Sequence, residues 1–145
     1  MDSFLTLLRA RIRDPSLPPD PALDDALGQL DHVLSGLAPA LEVTYVGPFV
    51  GLGAGREAFR LVVSAHTETV QAKTWGARVC SAGPHQNLHA RWTLRSVARL
   101  RKPIVLAALP AFLAGYYDAV VAAGKAPSKA GLRLLQLTQA LDGTG

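Results

Sequence analysis

The hydrophobic period of this chain changes twice, and the two changes restrict its fold more than any other feature. Leu23, Leu27, Leu30, Leu34 and Leu37 recur at three- and four-residue intervals, the spacing of one helix face. From Leu41 the period drops to two. Leu41, Val43, Tyr45 and Phe49 alternate with Glu42, Thr44 and Val46. Phe59, Leu61, Val63 and Ala65 then alternate with Arg60, Val62, Ser64 and His66. A period of two puts successive side chains on opposite faces of a sheet. After Pro103 the helical spacing returns in Leu106, Leu109, Phe112, Leu113, Tyr116, Tyr117, Val120 and Val121. Strands gathered in one block, with helices before and after it, predict an α+β fold. The expected architecture is two layers: an antiparallel sheet of about four strands, with two N-terminal and two C-terminal helices on one face.

Local chemistry predicts the boundaries. Ser3 is placed to cap a first helix ending near Arg13, with Leu5, Leu8 and Ile12 on one side. Residues 14–20 include Pro15, Pro18 and Pro19, which forbid a helix across that stretch. Asp20 followed by Pro21 reads as an N-cap with proline at the first helical position, and Pro39 reads as the end of that helix. Gly51 to Gly55 is a flexible connection. Arg56 to His66 is a second strand, and Thr67 to Trp75 a third that continues past a bulge at Gly76 to Cys80. Ser81 to Asn87 is a turn, and Leu88 to about Leu100 a fourth extended run. A helix follows from Pro103 to about Ala123, with Pro110 inside it. A last helix begins after Ser128, carries Leu132, Leu135 and Leu141 on one side, and stops at Gly143.

At 145 residues the chain is sized for a single domain over 1–145, with the helix at 1–13 and the connection at 14–20 expected at its periphery. Apolar residues make up 49% and charged residues 18%, a balance that excludes intrinsic disorder. One cysteine excludes a disulfide framework. The apolar run at Phe4–Leu8 follows an acid and precedes Arg9, Arg11 and Arg13, the reverse of a secretory signal, so the cytoplasm is the expected compartment. Ile104 to Ala123 has the length of a membrane span. Its bulky side chains lie on one face and its small ones on the other, and Asp118 interrupts it, so a buried helix is expected there and a membrane partner is not.

Charge is unevenly distributed. Residues 1–50 hold three arginines against seven acids, whereas residues 51–145 hold twelve Lys and Arg against four acids. From Arg56 to Lys102 there are nine basic residues against Glu57 and Glu68. Read as a strand, Arg91, Thr93, Arg95, Val97, Arg99 and Arg101 share one face and Trp92, Leu94, Ser96 and Leu100 the other. Read as a helix, Arg91, Arg95, Arg99 and Lys102 also share a face. Arg56 and Arg60 extend the basic stripe to the second strand, and Lys73 and Trp75 to the third. Guanidinium groups bind phosphate and carboxylate oxygens through paired hydrogen bonds, and an aromatic on a basic sheet suits single-stranded nucleic acid.

Other constellations are thinner. Cys80, His85 and His89, with His66 as a fourth member, hold zinc-competent atoms in a spacing that matches no zinc signature. The same residues, with Asp118 as orienter, are the raw material for nucleophilic catalysis, but no nucleophile elbow, phosphate loop or carboxylate pair accompanies them. Gly51, Gly53 and Gly55 are followed by Arg56 and a strand period, which fails both tests for a dinucleotide loop. The expected function is therefore non-catalytic and needs no cofactor: a basic sheet face built from Arg56, Arg60, Lys73, Trp75, Arg91, Arg95 and Arg99 binds an anionic ligand, with single-stranded nucleic acid the most concrete candidate. The alternative is a homodimeric protein–protein adaptor or chaperone-like protein, using the Ile104–Ala123 helix or the open sheet face. A small enzyme or metal site around Cys80, His66, His85 and His89 ranks third.

Overall fold

A computed structural model describes residues 2–52, 58–69, 72–82 and 88–142. Two helices, α1 (Ser3–Arg13) and α2 (Pro21–Leu41), precede strands β1 (Tyr45–Leu52), β2 (Ala58–Thr69), β3 (Ala72–Ala82) and β4 (Leu88–Trp92). Helices α3 (Lys102–Ala122) and α4 (Lys129–Ala140) close the chain. The sheet is an antiparallel meander in the order β1-β2-β3-β4. This is the α+β arrangement that the change of period predicts.

Each helix has an identifiable start. The Asp20 carboxylate accepts the Leu23 amide at 2.9 Å, with Pro21 at the first helical position of α2. The Ser128 hydroxyl accepts the Gly131 amide at 3.1 Å to open α4. Helix α1 begins at Ser3 itself, flanked by Asp2 without a side-chain cap, so Ser3 is not the capping residue. Helix α2 runs through Pro39 to Leu41 and ends on Glu42 in the left-handed region, φ 53°. Pro39 is exposed, so water can solvate the Ser35 carbonyl that loses its amide partner. Leu41 is therefore the last buried residue of a helix, and β1 starts four residues later than the alternation implies.

One core joins all the layers. Phe4, Leu5 and Leu8 of α1 lie in the same buried cluster as the α2 leucines, Leu61, Val63, Ala77 and Val79 of the sheet, and the bulky residues of α3. Helix α1 is thus part of the core, not peripheral to it. Helix α3 is long and apolar enough to cross a membrane, yet Val105, Leu109, Phe112, Leu113, Tyr116 and Val120 are fully buried against the rest of the fold. Tyr45 of β1 stacks with Tyr116, ring centroids 6.3 Å apart, and lies 6.0 Å from Phe112. A Cβ at Gly115 would sit 1.8 Å from the Tyr45 hydroxyl, so this glycine lets α3 approach β1. Along and just past α4 the buried line is Leu134, Leu137 and Leu141; Leu132 is 54% exposed, about 200° round the helix from Leu134 and so on the opposite face.

The sheet departs from expectation in three places, the first being the boundary of its second strand: Thr67 to Thr69 extend β2, and β3 begins at Ala72 and not at Thr67. The β2–β3 register runs unbroken through the Ser64–Gly76 pair, so Gly76 is not a bulge. A Cβ there would meet the Arg78 guanidinium at 2.7 Å and the Ser35 hydroxyl of α2 at 2.9 Å, so close approach of α2 accounts for the glycine. The fourth extended run also stops early. Strand β4 ends at Trp92, and the rest of the run is a turn, a bend and one 3-10 turn at Arg99–Arg101. The cause is local. The Thr93 amide donates to Ser96 Oγ at 2.8 Å and the Ser96 amide to Thr93 Oγ1 at 3.1 Å, a reciprocal pair of the capping-box kind. Asp31 of α2 then accepts the Leu94 amide at 3.0 Å and the Arg95 amide at 2.9 Å. Leu94 and Val97 are buried behind this turn.

Candidate binding face on the open side of the sheet

The helices cover one face of the sheet and leave the other open. Register fixes which side chains share the open face. Phe49 pairs with Arg60, Arg60 with Cys80, and Cys80 with Ala90, so these four form a row from β1 to β4. A second row is Val46, Val62 and Arg78. Ser64 opposite Gly76 and His66 opposite Thr74 continue the face along the β2–β3 hairpin. Val62 and Cys80 are buried in its floor. Val46, Phe49 and Leu88 are apolar yet 43%, 52% and 39% exposed.

Two adjoining concavities line this face. One, of about 350 Å³, is bounded by Thr44, Val46, Val62, Ser64, His66, Cys80, Leu88 and His89, among others. The other, of about 360 Å³, is bounded by Arg78, Arg91, Trp92, Thr93 and Ser96. His66, Thr67 and Ala90 border both. No carboxylate lines either concavity among the described residues.

A bulge brings Arg91 to the groove. Two steps along β4, from Ala90 to Trp92, match one step along β3, from Cys80 to Val79. Arg91 is the extra residue. Trp92 is thereby turned toward the core side, where it packs on Phe59 at 5.2 Å, and the Arg91 guanidinium lies 5.5 Å from the Trp92 ring. Arg91 and Arg60 are exposed. Arg60 is held by one hydrogen bond, from Nε to the Gly47 carbonyl at 2.9 Å. Arg78 is half-buried and donates to the Ala77 carbonyl at 2.9 Å.

The sequence-predicted cations thus separate into two groups. Arg60 and Arg91 border the open face, whereas exposed Lys73, paired with Thr67 one step beyond the His66–Thr74 pair, falls by register on the opposite side of the sheet and does not join them. Arg95 and Arg99 turn toward α2 instead. Arg95 lies over Gly28 and pairs with Asp25 at 3.6 Å, and Arg99 donates to the Pro19 carbonyl at 3.1 Å. Arg101 is drawn inward, over the Phe59 ring at 4.3 Å and hydrogen-bonded to the Val50 carbonyl at 3.2 Å. Trp75 packs half-buried against the core. Arg56, in the glycine connection, lies outside the described residues. Arg78 counts among the basic residues from Arg56 to Lys102 but has no place in the predicted stripe, because it stands alone between Ala77 and Val79; its position in a β3 alternation is the available signal.

His66, Cys80 and His89 do meet around one concavity, while His85 lies outside the described residues. Cys80 is 1% exposed, and burial pushes its thiol up to about 11, which disfavours the thiolate that a nucleophile or metal ligand needs. His66 Nε2 lies 3.1 Å from the Gly76 carbonyl, which can only accept, so this nitrogen carries the proton. Among the described residues, no group of three or more His, Cys, Asp or Glu is arranged to hold a metal ion. Asp118 is exposed on α3, in the helical layer, away from these residues. Comparison of the chain with protein-family models, with curated proteins and with solved structures gave no match.

Proposed function

We propose that this protein is a non-catalytic binding module whose open sheet face receives an anionic partner. One observation carries the reading: exposed Arg60, in the row of Phe49, Cys80 and Ala90, and exposed Arg91, at the rim of the second concavity, share the open face, and no carboxylate lines either concavity among the described residues. Cations held at a surface without acidic neighbours keep their field for a ligand. The buried, protonated thiol of Cys80 favours binding over chemistry.

The test is fluorescence anisotropy with two labelled polyanions, oligothymidylate and polyglutamate, over a salt series. Binding is expected at low salt and should weaken log-linearly as salt rises. Reversing both groove cations, Arg60→Glu with Arg91→Glu, should weaken binding by at least about tenfold, the equivalent of ~1.4 kcal/mol. Reversing Arg95→Glu with Arg99→Glu, which face α2, should change it less than about twofold, under ~0.5 kcal/mol. No binding of either polyanion at low salt would overturn the reading. Equal losses in the two double variants would remove the groove from it.

A further inference from the structure

Resting on that reading, we infer that the partner is an extended protein segment in which acidic and apolar side chains alternate. Two features of the open face select this chemistry over others that carry negative charge.

The first is the juxtaposition of cation and hydrocarbon. Phe49 and Arg60 are cross-strand partners, as are Val62 and Arg78. Side chains so paired stand about 5 Å apart. Val46, Phe49 and Leu88 remain exposed on the same face. A ligand offering charge alone leaves these apolar groups wet. A ligand offering an acid beside an aliphatic side chain meets both. Arg60 on β2 and Arg91 on β4 are two strands apart, about 10 Å at the usual strand spacing. Carboxylates two or four residues apart on one side of an extended chain fall within reach of their long arms.

The second feature is the direction of the aromatic rings. A nucleic-acid platform stacks successive bases on exposed aromatics. Here Trp92 packs on Phe59, Tyr45 packs on Phe112 and Tyr116, and Trp75 packs against the core. Phe49 is the only exposed large aromatic among the described residues, so successive bases would lack successive platforms.

The experiment compares three labelled probes on the full chain by anisotropy: a Glu–Val repeat peptide, polyglutamate of equal charge, and oligothymidylate. The Glu–Val peptide should bind at least about tenfold tighter than polyglutamate, because it adds apolar burial to the same charge. Phe49→Ser should lower Glu–Val affinity far more than polyglutamate affinity and so remove that advantage. Phe49 is half-exposed, so the variant keeps the core; Leu88→Ser, on the opposite edge strand, is the second variant and should act in the same direction. Equal affinity for the two peptides would overturn the inference while the anion-binding reading stands. Tighter binding of oligothymidylate, insensitive to Phe49→Ser, would replace it with a nucleic-acid surface. Failure of all three probes to bind would remove both readings.

Discussion

Single residues in this fold are constrained by the space or solvent around them. Gly115 is the sharpest case. In an exposed helix, alanine would be favoured over glycine by roughly 1 kcal/mol. Here the Tyr45 hydroxyl occupies the place of the missing Cβ, and Tyr45 is wedged between Phe112 and Tyr116. Gly115→Ala should therefore destabilise the protein, by about 1–3 kcal/mol in urea unfolding. Tyr45→Leu in the same chain should recover part of that loss, a coupling that the two single variants do not sum to. Asp31 is constrained in another way. Two backbone amides hydrogen-bond its carboxylate, yet burial is the stronger influence and raises its pKa. Neither residue stands out by type or spacing in the sequence, because a contact with a distant element decides the role of each.

At the scale of elements, the start of α3 is the point of tension. Lys102 is its first residue, a position where the helix dipole disfavours a cation. The side chain is also buried. Asp24 in the first turn of α2 resolves both problems, with Oδ1 accepting from Lys102 Nζ at 2.5 Å. The pair ties the N-termini of two helices that are far apart in sequence. Asp24→Asn leaves a buried ammonium without its counter-charge and should cost about 2 kcal/mol, below the value for a fully enclosed pair because Asp24 is partly exposed. Lys102→Met keeps the packing and removes the charge, so its stability should stay within about 1 kcal/mol of the parent chain. Chemical denaturation of the two variants checks the asymmetry; equal losses would show that Lys102 is solvated in the folded state. The end of β4 is also decided at this scale. The Thr93–Ser96 pair was legible as a turn signal, but its anchor on Asp31 was not, so the basic run reads as a continuous strand until α2 is placed beside it.

For the whole molecule, the ionisable groups in the interior set an alkaline limit. Burial pushes Tyr116 up to about 12 and Cys80 up to about 11, from ordinary values of 10.0 and 9.0. Both are neutral at pH 7 in the folded and unfolded chains, so neither affects stability there. As pH rises past 9, the unfolded chain loses these protons first and the folded state is disfavoured. About two pH units of separation correspond to roughly 2–3 kcal/mol for each group once both have passed. Urea unfolding at pH 7, 9 and 11 should show stability falling across that range. Tyr116→Phe with Cys80→Ala should flatten the fall; an unchanged slope would mean that other groups govern it. The Cys80 thiol, with 1% exposure, should react with an alkylating reagent only as fast as the fold opens.

The order and type of the elements were determined by the sequence alone, because period, caps and breakers act within a few residues. The leucine stripe of α2, the Asp20 and Ser128 caps, and the alternation of β2 are all local statements, and all are present in the structure. Only tertiary structure decided which cations share a surface. A bulge of one residue turned Arg91 to the groove and Trp92 to the core, and two backbone hydrogen bonds donated to Asp31 carried Arg95 away from the sheet. A sheet face changes side with every residue, so a single insertion or an early strand end rearranges every side chain beyond it. That sensitivity is why the basic run announced charge but not its placement.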